Sequence, residues 1–194
     1  MMSRRQPMLS LESLDARIVP ALTVQFNYSL DSSGFFSDPT RRAALEAATQ
    51  QLVSRLDANF DPIVPHLGNT WSLLLNSPSS GQQVEIPNPS IPANTIVIYA
   101  GAYDLGGAEA GEGGFGGYRA GGDSNWLNSI QTRGTTGFSL WGGSLAFDID
   151  QNWNFTSAPP SAGQVDFFTV ATHEIGHLLG FGTADQYYRL VSNG

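Results

Sequence analysis

His173, Glu174 and His177 stand in the order His-Glu-x-x-His within the run Ala171 to Gly180. On an α-helix, residues four apart lie one turn above each other on one face, so the two imidazoles can be aimed at a single point. Zn2+ suits a pair of such nitrogens. Glu174, beside the first of them, is then placed to take a proton from a water held at the cation, the general-base role in hydrolysis of a polarised carbonyl. His173 and His177 are accordingly the expected metal ligands and Glu174 the expected catalytic base. Two histidines on a surface turn would be the plainer explanation of the letters, but the flanks argue against it. Phe167, Phe168, Val170, Ala171, Ile175, Leu178 and Leu179 recur at helical spacing. They predict a core-packed helix, in which a buried polar trio needs a partner such as a metal.

His173-Glu174-x-x-His177-x-x-Gly180 resembles the opening of the metzincin signature, in which a glycine turns the chain off the helix and a third ligand follows three residues later. Thr183 holds that position, and a hydroxyl is a poor substitute for imidazole or carboxylate on zinc. Asp185, two residues on, reaches the metal only if the turn is longer than usual. No histidine follows His177, and the methionines are Met1, Met2 and Met8, so the methionine turn of the family has no counterpart. The run Gly180 to Asp185 is more similar to secreted bacterial and leishmanolysin-like relatives, whose last histidine follows a long insertion. That resemblance implies a third ligand beyond Gly194, and a chain that stops inside its catalytic domain.

A second segment carries a similar likeness. Gly142 to Trp153 resembles the matrixin pattern Gly-Gly-Asp-x-His-Phe-Asp-x-Asp-Glu-x-Trp, which builds structural zinc and calcium sites. Here Ser144, Ala146 and Gln151 replace its Asp, His and Glu. The replacements exclude the structural zinc and leave Ca2+ resting on Asp148 and Asp150, which read equally well as a strand-end turn.

The elements that must position these residues are legible in outline. Residues 1–20 read as a leader or disordered arm, and 21–194 as one metalloprotease-like catalytic domain. Leu22, Val24, Phe26 and Tyr28 alternate as in a half-buried strand. Asp38-Pro39 caps a helix whose apolar positions run through Arg41 to Ala58. Thr70 to Asn76 and Gln82 to Ile86 read as strands joined by a turn, and Thr95 to Ala100 as the strongest strand signal, a candidate edge for an extended substrate. Gly101 to Gly122 holds ten glycines and reads as a flexible surface loop in preference to a calcium-holding lid. Asp123 or Ser124 can cap a short helix ending near Gly134, and Ser144 to Asp150 alternates as a strand. His66, in a loop, reads as a surface or capping residue.

Composition bounds the partners. A net charge of −8 argues against nucleic acid, and no stretch is long enough for a membrane span. The absence of cysteine excludes disulfides and thiolate ligands, and the glycine-rich, weakly charged composition fits a secreted or cell-surface protein. Together these readings predict an α+β fold: a metzincin-like N-terminal subdomain whose twisted mixed sheet carries an early helix and the active-site helix. The implied activity is that of a zinc-dependent endopeptidase acting on protein or peptide substrates. The alternative is an inactive exported binding or surface-structural protein that retains the motif.

Overall fold

The structure, a computed structural model, describes residues 21–133 and 140–192. The leader or arm expected over residues 1–20 lies outside the described residues, as does Gly134.

Strand β1, Thr23–Asn27, leads through a 3-10 turn at Phe35–Ser37 into helix α1, Pro39–Val53. The Asp38 carboxylate accepts the Thr40 amide at 2.8 Å, and Pro39 stands in the first turn, where no amide proton is required. The helix ends five residues before Ala58. Ala21 pairs with Asp57 instead, and the Leu22 amide donates to the Leu56 carbonyl, which draws this segment out to meet the start of β1. Strands β2, Thr70–Asn76, and β3, Gln83–Pro87, form the expected hairpin, with Leu73 opposite Ile86 and Leu75 opposite Val84. There follow β4, Thr95–Tyr103; β5, Gly111–Phe115; β6, Gly117–Gly121; and α2, Ser124–Gln131, capped by Asp123. The chain closes with β7, Gly142–Asp148; two-residue strands β8, Trp153–Asn154, and β9, Val165–Asp166; α3, Phe167–Leu178; and α4, Asp185–Ser192.

A mixed four-stranded sheet has the order β1-β4-β7-β5, with only β5 antiparallel to its neighbour. A second, antiparallel sheet has the order β3-β2-β6. Side chains alternate across a strand, so Ile96, Ile98, Ala100, Leu145 and Phe147 face α1 and α3, whereas Val97 and Tyr99 join Trp71, Leu73 and Leu75 of the second sheet. The result is three layers: helices, mixed sheet, second sheet. This α+β architecture is compatible with a matrixin-like domain. Among the described residues, no helix is long and apolar enough to cross a membrane.

Two expectations are corrected. Thr95 to Ala100 is not a sheet edge: β4 lies between β1 and β7 and is buried on both faces from Thr95 to Ala102. Its near-continuous apolar run is the signature of a strand covered on both sides. Gly101 to Gly122 is not a flexible loop either, because it contains the end of β4 and all of β5 and β6. There the main chain supplies the ladder bonds while missing side chains let neighbouring layers approach.

An aromatic group fixes the start of α3. The Phe167 ring lies 4.7 Å from those of Phe147 and Phe155 and 5.3 Å from Trp153. Each such pair adds about 0.5–1.5 kcal/mol beyond simple burial. At the opposite layer, Arg133 is 1% exposed and donates to four main-chain carbonyls: Asp61 and Leu140 at 2.8 Å, Thr95 at 2.8 Å and Pro92 at 3.1 Å. Burial pulls its guanidinium down to about 10, which leaves it charged at neutral pH.

Candidate active site

Helix α3 begins at Asp166, whose carboxylate accepts the Thr169 amide at 2.9 Å. Phe167, Ala171, Ile175 and Leu178 are buried along one face, the 3.6-residue period read from the sequence. That stripe sets the rotation of the helix and presents His173 and His177 together on its far side. Their Nε2 atoms are 3.0 Å apart, with the rings nearly perpendicular. Only Glu174 of the trio is buried; His173 is exposed and His177 half-buried, because the histidine face opens into a trough of about 470 Å³ bordered by Leu52, Thr172, Phe181 and Tyr187. The expected fully buried trio is therefore replaced by a buried carboxyl beneath a solvent-facing imidazole pair.

The turn after α3 orients the second imidazole. Gly180 has φ of 95°, a left-handed conformation that favours glycine, and it sends the chain back so that the Phe181 carbonyl lies 3.0 Å from His177 Nδ1. A carbonyl only accepts, so Nδ1 carries the proton and Nε2 presents its lone pair toward His173. Two nitrogens each 2.0–2.1 Å from a tetrahedral zinc would stand about 3.3 Å apart, so this pair needs only a small opening to fit the ion.

Thr183 donates its hydroxyl to the His177 carbonyl at 2.8 Å, which makes it a brace of the turn. Asp185 begins α4. Among the described residues, neither Asp185 nor any other His, Asp or Glu joins His173 and His177 in a three-donor group. Among these described residues the one such group is Asp104, Asp148 and Asp150, whose carboxylate oxygens lie within 4.8 Å of one another. Asp148 already accepts the Asp150 main-chain amide at 3.0 Å, the strand-end turn anticipated from the letters, and the Gln151 side-chain amide at 3.2 Å. Asp104, the residue after β4, is a member that spacing along the chain gave no means of finding. His66 sits away from the pair, within reach of the Asn69 side-chain amide at 3.1 Å and edge-on to Trp126.

The environment of Glu174 is set by β5. An added Cβ at Gly113 would fall 2.4 Å from the Glu174 carbonyl oxygen, and one at Gly111 would fall 2.8 Å from Val170. The absent side chains bring the helix against the edge strand, where the Gly113 amide donates to the Glu174 carboxylate. Burial holds this carboxyl above the usual glutamate range; His173, His177 and the Gly113 amide oppose the rise, and Glu112 adds to it. A buried carboxyl with a raised affinity for protons, on the same helix as two imidazoles whose charge it feels, is suited to general-base work. Gly113→Ala is expected to destabilise the fold by about 1–3 kcal/mol through overpacking. Gly114→Ala, where an added Cβ meets nothing within 4 Å, is expected to be near neutral. Denaturant midpoints of the two variants check the contrast.

Residues 122–190 match the family model of the matrixins. The match spans α2, β7, the short β8–β9 ladder, α3 and most of α4, just over a third of the chain. It supports a matrixin-like family of metalloprotease type, and it takes in both segments whose letters resemble that family. No curated protein and no solved structure matches the chain.

Proposed function

We propose that this chain is a matrixin-like, zinc-dependent endopeptidase of the secreted type. The observation that carries the reading is the approach of the His173 and His177 Nε2 atoms to 3.0 Å on the helix that also carries the buried Glu174 carboxyl. His173 and His177 would hold the ion through Nε2, and the Phe181 carbonyl keeps His177 in the tautomer this requires. Zinc, when bound there, supplies Lewis-acid polarisation of the scissile carbonyl and of the attacking water. Glu174 takes the proton of that water on its carboxylate and returns it to the amine that leaves. The Gly113 amide holds the carboxylate in place between the two transfers, and the open edge of β5 offers the extended substrate a strand to pair with.

One observation favours the second reading, an inactive binding protein that retains the motif. The described residues supply two zinc ligands, and catalytic sites use three from the protein. Metal content and chelator sensitivity decide between the two. The endopeptidase reading expects zinc bound in proportion to chain, hydrolysis of a generic protein substrate stopped by chelator and restored by zinc, and loss of the metal in His177→Ala. A protein that takes up no zinc at micromolar free metal sinks this proposal.

A further inference from the structure

The phase of the β5 ladder fixes which of its groups are free for a partner. The Asp148 amide donates to the Ala110 carbonyl at 3.0 Å, and the Gly116 amide donates to the Gly142 carbonyl at 2.9 Å. In an antiparallel ladder, paired residues alternate, so Glu112 and Gly114 also direct their main chain to β7, while Gly111 and Gly113 direct theirs to the open edge, where the Gly113 amide is already taken by the Glu174 carboxylate and the Gly111 groups and the Gly113 carbonyl remain to pair with a strand. A strand added at that edge sends alternate side chains to the α3 face and to the opposite face.

On that opposite face lies a cavity of about 340 Å³. Glu112, Gly114, Ser144 and Ala146 form its floor, and the end of β2 with its turn, from Leu74 to Pro78, faces them. Among the described residues, Glu112 is the one charged residue of the lining. Its position is fixed from behind: the Tyr103 hydroxyl donates to Glu112 Oε2 at 3.2 Å, and Tyr103 lies so close to Gly81 that an added Cβ there would fall 2.6 Å from the hydroxyl oxygen. The β2–β3 turn thus stands against the Tyr103 hydroxyl that meets this exposed acid.

We infer that this cavity is a specificity pocket for a lysine or arginine side chain of an extended peptide lying along β5, with Glu112 as its charge partner. The inference rests on the proposed peptide-binding role of that edge. A carboxylate with no cation beside it among the described residues of the cavity favours a basic side chain and penalises an acidic one. The chain's net charge of −8 acts in the same direction over longer range.

The test is binding of fluorescent decapeptides to the 194-residue chain, read by anisotropy in excess chelator, with arginine, norleucine or glutamate placed at each position in turn. Binding under these conditions needs neither zinc nor cleavage, so its result stands whether or not the protein is an active protease. At one position arginine is expected to lower Kd by about tenfold relative to norleucine, about 1.4 kcal/mol. Glu112→Gln should erase that preference, and Glu112→Arg should reverse it toward glutamate. Glu85→Gln, altering an exposed acid paired with Arg119 elsewhere on the second sheet, should preserve it. Failure to bind any peptide, no basic preference at any position, or a preference that survives in Glu112→Gln overturns the inference. Cleavage of peptides without a basic preference overturns it while leaving the protease reading intact.

Discussion

Glu174→Gln is expected to retain the zinc content of the unaltered protein and to lose about 10²–10⁴-fold in peptide-bond hydrolysis, the usual contribution of a positioned general base. Glutamine is the informative replacement because its carbonyl oxygen can still accept the Gly113 amide, leaving the packing of α3 on β5 undisturbed. It cannot take a proton from water. Glu174→Ala removes both functions and should be at least as inactive, with some added loss of stability from the unpartnered Gly113 amide. Metal analysis beside a single-substrate assay reads both outcomes. Undiminished hydrolysis by the glutamine variant would remove Glu174 from the chemistry.

The largest expected effect on stability lies far from the histidines. Arg133→Met should destabilise the protein by at least about 3 kcal/mol, since truncating a buried donor leaves its acceptors unsatisfied at roughly 1–3 kcal/mol each. Four carbonyls from separate parts of the chain lose their donor in that variant: Asp61, Pro92, Thr95 and Leu140. For a chain of this length the change corresponds to a melting temperature lower by about 6–12 °C. Arg133→Lys should recover only part of the loss, because one ammonium cannot span a fork of four acceptors. A melting temperature within 2 °C of the parent in the methionine variant, on the order of 1 kcal/mol or less, would show that water replaces the guanidinium.

Arg133 also illustrates what letters alone withhold. Elements written in local code were legible: the α3 stripe of Phe167, Ala171, Ile175 and Leu178, the Asp38-Pro39 cap, and the hairpin pairing Leu75 with Val84. So was the convergence of His173 and His177, because a helix turns spacing directly into direction. Features that depend on distant segments were not. Strands are recognised by branched and aromatic side chains, and β5 reads Gly-Glu-Gly-Gly-Phe; its identity as a strand comes from β7, and its glycines answer to α3. The central place of β4 depends on a second sheet covering its other face, although burial on both sides was already written in Thr95 to Ala100 as a near-continuous apolar run. The Gly113–Glu174 contact has no trace in sequence spacing at all.

Only Gly116 separates β5, which belongs to one sheet, from β6, which belongs to the other. The Trp141 ring fills the notch beside it, where an added Cβ would fall 2.0 Å from the indole, and its Nε1 donates to the Gly117 carbonyl at 2.9 Å. Lengthening the chain at this point by one residue would have nowhere to bulge. The surplus would have to slide β5 along β7, carrying Gly113 away from the helix and turning Glu112 toward it. In a stretch as rich in glycine as a linker, length is thus as strictly determined as in any core strand.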